Sequence, residues 1–292
     1  MYAVTGITGK VGGALAEALL EAGLKVRAVV RDTAKGERWR ARGCDVAIAE
    51  MQDGEALAKA FAGAEAAFIL PPSDFDPAPG YPQARRVISA VRAALQLGQP
   101  ERVVCLSTIG ADAKQDNLLT QRSLMEHALA TLPMPVTFLR PGWFIDNAAW
   151  DVAPARDEGV IRSFLAPLDK RFAMVAAKDV GATAATLIRQ HWSGQRIVEL
   201  EGPARVSPND LAAAFAAALG RPVRADLVPH DAWDTLFRAE GMRHPLPRIR
   251  MLDGFNAGWI DFPADGDRLR GRTSATEVIA ALVSASAAQP AG

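Results

Sequence analysis

The N-terminal segment constrains the fold of this chain more than any other stretch. Tyr2-Ala3-Val4-Thr5 is a short apolar run, and Gly6, Gly9 and Gly12 follow it at three-residue spacing. Beyond them Val11, Leu15, Ala18, Leu19 and Ala22 recur at helical spacing, and Gly23 supplies a stop. A strand that turns through glycines straight into a helix places the helix N-terminus at the turn. Its unpaired N–H groups and positive dipole end then face outward. Glycine permits the tight turn and lets a phosphate approach the backbone closely. The segment therefore predicts a pyrophosphate-binding turn built from Gly6, Thr8, Gly9, Lys10, Val11 and Gly12.

The residues that follow repeat the strand–helix theme. Candidate strands fall at 2–5, 25–30, 46–49, 66–70, 102–106 and 136–139, short and rich in Val, Ile and Leu. Strands of that kind are covered on both faces. Helical spacing fills the gaps, notably over 82–97, where Gly98 and Pro100 end the run. The alternation predicts an α/β fold, a doubly wound parallel sheet of Rossmann type, with a smaller interwoven C-terminal α/β lobe. The division is expected near Pro141: 1–141 as the dinucleotide-binding domain and 142–292 as a substrate or partner lobe. Parts of 180–200 are expected to return to the first. In the second lobe Asp179 reads as the cap of a helix over 180–188, and 197–200 and 223–228 read as strands. Ser207-Pro208 opens a helix that Gly220 stops, His230-Asp231 caps another over 231–239, and the tail from Ser284 is expected to fray.

Composition excludes several classes. Lys plus Arg number 33 and Asp plus Glu also 33, so no basic surface for nucleic acid or an anionic membrane is implied. Apolar stretches are broken well short of the roughly 18 residues a membrane span requires. The first strand begins directly after Met1, leaving no room for a signal peptide, so a cytoplasmic protein is expected. Cys44 and Cys105 lie in or beside predicted strands and read as core residues. His127, His191, His230 and His244 show no metal-ligand spacing, so no metal is expected.

At the end of the second strand stands Val29-Val30-Arg31-Asp32, with Lys35 one turn on. An acid at such a strand end accepts from the ribose hydroxyls of NAD, whereas a guanidinium suits the 2′-phosphate of NADP. Arg31 and Lys35 favour NADP; Asp32 keeps NAD open.

With these features together, the sequence resembles the NmrA-like group of atypical short-chain dehydrogenase/reductases. The likeness rests on Val4 to Gly12, on Val30-Arg31-Asp32 and on Leu106-Ser107-Thr108-Ile109-Gly110-Ala111. It continues through Glu126, through Leu139-Arg140-Pro141-Gly142-Trp143-Phe144-Ile145-Asp146-Asn147 and through Ala176 to Gly181. It implies a cofactor cleft in which Thr8, Gly9, Lys10 and Val11 line the pyrophosphate and Arg31 the 2′-phosphate. Asp53 is then near the adenine, Leu70, Pro71 and Pro72 along the adenosine ribose, and Ser107 and Thr108 beside the nicotinamide ribose. Trp143 and Phe144 become part of the nicotinamide and substrate wall. The group includes quinone and other ene or imine reductases, and also redox sensors that bind the dinucleotide without turning it over.

The sequence departs from the usual chemistry of such enzymes. A short-chain dehydrogenase pairs a tyrosine with a lysine four residues on, and the phenol exchanges a proton with the substrate oxygen. Here there are two tyrosines, Tyr2 in the first strand and Tyr81 before the fourth helix, and neither fits. In the helix expected over 117–126, Arg122 stands where many of the group place a lysine, and arginine is no acid at neutral pH. Ser107 remains, as a substrate-polarising group or as a serine bonded to nearby backbone. The catalytic candidates are Ser107 and Arg122. Hydride transfer to a quinone, enone or imine needs no tyrosine, because solvent protonates the product. A reductase of a small conjugated substrate is the first expectation and a non-catalytic NAD(P) sensor acting through a protein partner the second. A nucleotide-sugar epimerase is disfavoured by the missing tyrosine. A homodimer is compatible with all of these.

Overall fold

The computed structural model describes residues 1–264 and 266–287. Strand and helix alternate through β1 (Tyr2–Thr5), α1 (Lys10–Glu21), β2 (Val26–Val30), α2 (Thr33–Arg40), β3 (Asp45–Ile48) and α3 (Gly54–Phe61). They continue through β4 (Ala66–Ile69), α4 (Pro82–Gly98), β5 (Arg102–Leu106), α5 (Thr120–Leu129) and β6 (Val136–Pro141). Next come β7 (Trp143–Phe144), a 3-10 turn over Ile145–Asp151, α6 (Val152–Glu158), β8 (Val160–Ser163), β9 (Met174–Val175) and α7 (Ala177–Ile188). The chain then forms β10 (Gln195–Glu201), α8 (Pro208–Leu219), β11 (Arg224–Leu227), α9 (Trp233–Ala239), α10 (Leu246–Ala257), β12 (Leu269–Arg270) and α11 (Ala275–Ala287).

Eight strands make one sheet in the order β12-β10-β6-β5-β4-β1-β2-β3. The neighbours β3·β2·β1·β4·β5·β6 are parallel throughout, as is β10·β12. This is the doubly wound α/β fold. The chain leaves β1 toward β2 and β3, then returns to the other side for β4, β5 and β6. The order therefore reverses between β1 and β4, and ligands of such sheets bind outside the carboxyl ends at that point. Every residue of β1, β4, β5 and β6 is buried, as a sheet covered on both faces demands. Leu57, Phe61, Val91, Leu95, Met125 and Leu129 from α3, α4 and α5 pack on Ala67, Ile69, Val103, Cys105, Val136 and Phe138 from the strands. Among the described residues no helix is long and apolar enough to cross a membrane.

The Cα positions divide into two compact units. The first comprises residues 1–112, 119–140 and 178–198; the second comprises 113–118, 141–177 and 199–292. Within the second, β8 pairs in parallel with β11 and β7 with β9. Phe164 packs against Trp233 and Phe237, and the Arg248 guanidinium lies 4.1 Å from the Phe237 ring centre. Glu201, 2% exposed, is surrounded by Arg205, Arg268 and Arg270.

Several sequence expectations need correction. The helix expected from Asn117 begins at Thr120, and the Leu118 N–H before it donates to Pro247 O at 2.9 Å. His230-Asp231 caps no helix: a 3-10 turn occupies 230–232, and His230 Nε2 lies 3.0 Å from Asp253. The tail does not fray from Ser284; α11 continues through its alanines to Ala287, and 288–292 lie outside the described residues.

Candidate functional site

In the first unit, β1 delivers Gly6 at a φ of +64°, a left-handed value that glycine alone adopts freely. A Cβ there would also stand 3.0 Å from Leu70 Cβ. Gly9 N donates to Gly6 O at 3.0 Å, closing the turn, and Gly9 is the N-cap of α1. No side chain caps that helix and no acid lies in its first turn, so its N-terminal field is not neutralised from within. Thr8, Gly9 and Lys10 are exposed while Val11 and Gly12 are buried beneath them. The arrangement leaves an uncapped helix N-terminus open to solvent, with the geometry that could hold an anion.

Beside it, at the end of β2, Arg31 is exposed. Asp32 caps α2, accepting from Lys35 N at 2.8 Å, and the Lys35 ammonium lies 3.4 Å from the same carboxylate. The capping bond and Lys35 hold the Asp32 pKa below the usual carboxylate value. Asp53 is likewise engaged, capping α3 through Ala56 N at 2.9 Å. It also borders an open depression with Glu50, Gln52 and Leu97.

On the far side of the reversal, Thr5 joins the two halves of the sheet. Its hydroxyl donates to Phe68 O at 3.0 Å and accepts from Leu70 N at 2.8 Å. Leu70 is half-buried against the glycine turn, Pro71 is buried and Pro72 exposed. Thr5 carried no sequence signal as a site residue, because its partners lie 63 and 65 residues away.

Ser107, at the end of β5, is 5% exposed and donates its hydroxyl to Glu126 Oε1 of α5. The Glu126 carboxylate is gripped by Arg140 through Nε at 2.9 Å and Nη2 at 2.6 Å, with Asp112 3.3 Å from Arg140 Nη1. With its hydroxyl donating to Glu126, Ser107 has its proton already committed. What Ser107 can offer a ligand is a lone pair. The network needs residues 14 and 19 positions apart, which no local motif reveals. Thr108 is half-buried next to it.

Arg122 lies one turn before Glu126 on α5 and reaches the loop after β4. Its Nη2 donates to Ser73 Oγ at 2.8 Å, and Nη1 lies 3.5 Å from Pro72 O. Burial lowers its pKa, yet a guanidinium stays cationic at neutral pH. Tyr2 is buried, its phenol 3.3 Å from Glu65, and burial raises its pKa. Tyr81 is 6% exposed at the start of α4. Both cysteines are buried free thiols, Cys105 pushed up to about 12 by desolvation. Among the described residues no group of three His, Cys, Asp or Glu side chains could hold a metal.

In the second unit Trp143 and Phe144 form β7, both half-buried. Trp143 meets Phe255 edge-on at 5.2 Å, and its backbone N–H donates to Ala173 O at 2.9 Å. Gly142 precedes them because a Cβ would lie 2.5 Å from Ala173 O.

Comparison with known proteins places this geometry in a lineage. The chain is 30% identical over 227 residues to the NAD(P)H azoreductase of Xenophilus azovorans, covering 77% of this chain and 76% of that protein. It is 29% identical over 225 residues to quinone oxidoreductase 2 of Escherichia coli, 76% of each. Among solved structures, the Escherichia coli NADPH-dependent quinone oxidoreductase complexed with NADPH superposes with a TM-score of 0.80 at 23% identity, over 97% of this chain and 99% of that one. The Citrobacter triphenylmethane reductase complexed with NADP(H) gives 0.78 at 20% identity, over 97% and 100%. The NmrA-like family model matches residues 2–254, and its extent agrees with a fold that carries both the glycine turn and β7. The chain belongs to the NmrA-like family.

Proposed function

We propose that this protein is an NADP(H)-dependent reductase that delivers hydride to a small conjugated acceptor, such as a quinone, enone or imine, without a tyrosine acid. The decisive observation is at the end of β2, where Arg31 is exposed while Asp32, the alternative ribose acceptor, is committed to capping α2. An exposed guanidinium beside the uncapped α1 N-terminus suits a 2′-phosphate. The relatives named for quinone, azo and triphenylmethane reduction support an acceptor of conjugated type.

Ser107 and Arg122 are positioning residues in this scheme. Ser107, with its proton held by Glu126, accepts from a ribose hydroxyl or carboxamide N–H of the nicotinamide. Arg122 holds the loop after β4 in place. For a quinone the balance is hydride from NADPH plus one proton from solvent, giving hydroquinone and NADP. For an iminium the hydride alone gives the amine.

The test is loss of NADPH absorbance with menadione, an azo dye and a cyclic iminium as acceptors, run at constant ionic strength from pH 6 to 10. Turnover with no limb near the phenolic pKa of about 10 supports the mechanism. Tight NADPH binding with no oxidation by any acceptor overturns it and leaves a dinucleotide sensor.

A further inference from the structure

The loop 70–80 has no regular structure, yet it is held at every turn. Leu70 N donates to Thr5 Oγ1, Ser73 accepts from Arg122 at 2.8 Å, and Asp74 O accepts from Gln121 Nε2 at 2.8 Å. Asp76 N bonds Asp74 Oδ1 at 3.1 Å, and Tyr81 N bonds Ala78 O at 3.0 Å. Pro71, Pro72, Pro77 and Pro79 remove four further backbone freedoms. At the middle of this braced segment stands Phe75, 60% exposed. It is the one large aromatic so exposed among the described residues of the first unit.

Position gives the exposed ring a meaning. The pyrophosphate turn lies at the end of β1, and Arg31, at the end of β2, marks the adenosine side. A dinucleotide held by that turn would extend its nicotinamide toward β4 and β5, on the opposite side of the reversal. The loop leaves β4 and is fastened to α5, which follows β5, so it runs along that nicotinamide side. A phenyl ring kept in water by a stiff backbone loses little freedom when a flat partner stacks on it.

We propose that Phe75 is the stacking wall for the acceptor, and that Arg122 and Gln121 are the fasteners that hold it there; the assignment rests on the reductase reading for its choice of ligand. Acceptors with fused or extended aromatic rings are selected over small aliphatic ones by this contact. Arg122 acts through Ser73 and touches neither cofactor nor acceptor.

The experiment measures menadione binding by isothermal titration to the protein saturated with NADP, the oxidised cofactor, so that no turnover occurs. Phe75→Ala should weaken menadione three- to tenfold while leaving the NADP dissociation constant unchanged, and Phe75→Trp should retain the affinity. Arg122→Ala should weaken menadione to a similar degree, with Arg122→Lys restoring part of it. Menadione bound equally well by Phe75→Ala overturns the proposal, as does wild-type protein that binds no menadione at millimolar concentration. Phe75-dependent binding in a protein that never oxidises NADPH sinks the reductase reading and leaves the stacking wall standing.

Discussion

Gly9 and Gly12 belong to one turn but need glycine for different reasons. A Cβ on Gly12 would lie 2.3 Å from Gly6 O and 2.6 Å from Gly6 C, so the protein itself forbids it. A Cβ on Gly9 meets nothing nearer than Gly6 O at 3.4 Å. The loop alone tolerates that methyl, and only a bound pyrophosphate would collide with it. Gly12→Ala is expected to lower stability by about 1–3 kcal/mol, the usual cost of overpacking. Gly9→Ala should melt like wild type yet lose the stabilisation that NADPH confers. Thermal melts with and without NADPH check both, and a Gly9→Ala protein that responds normally to NADPH would show the turn to be structural. Arg31→Ala should cost NADPH about 1.5–3 kcal/mol, roughly 10- to 100-fold in affinity. NADH should change little, because Asp32 is held by its capping bond whichever cofactor arrives. Equal losses for the two cofactors refute the 2′-phosphate assignment.

At the scale of elements, glycines set how closely helices approach. A Cβ on Gly181 of α7 would stand 2.6 Å from Val11 O and from Ala14 Cβ, both on α1. Gly98 of α4 plays the same part toward Ala58 O of α3, at 2.7 Å. Gly181→Val is expected to push α1 away from α7 and so shift the N-terminus proposed to hold the phosphates. Stability should fall by a few kcal/mol and NADPH affinity at least tenfold; a variant with wild-type melting and titration would separate α7 from the site. The strands of the first unit were legible because each is a short run of Val, Ile, Leu and Ala between turn residues. The short strands β7, β9 and β12, two residues each, were not. Nor was α10, where Arg248 and Arg250 alternate with apolar neighbours and hide the helical period.

For the whole molecule, Asp151 is one carboxyl through which pH acts on stability. Asp151 makes no capping bond to α6, and desolvation raises its pKa to about 6. The folded state therefore holds this proton more tightly than the unfolded chain, whose value is near 3.8. Below that value the carboxyl is neutral in both states and costs nothing. Between about 3.8 and about 6 the unfolded chain ionises while the fold keeps its proton, so stability falls on the order of 2 kcal/mol across that window and stays lower above it. Asp151→Asn should therefore raise the melting temperature at pH 7.5 and leave it unchanged near pH 4. A gain of equal size at both pH values would point to packing instead of charge. NADPH should add its own stabilisation, about 2.7 kcal/mol at one hundred times its dissociation constant.

The glycine turn after β1, the parallel sheet and the Arg31-Asp32 pair after β2 follow from local order along the chain. A strand, a glycine turn and a helix are consecutive residues, and their period and composition report them directly. Ser107, Glu126 and Arg140 come together only in the fold, and with them the finding that the serine's proton is already taken. The same holds for Arg122, whose partner is Ser73 of a loop 49 residues earlier. Side-chain hydrogen bonds between distant segments depend on how the sheet orders its strands and how each helix is rotated on it. Those are properties of packing, and packing is decided in three dimensions.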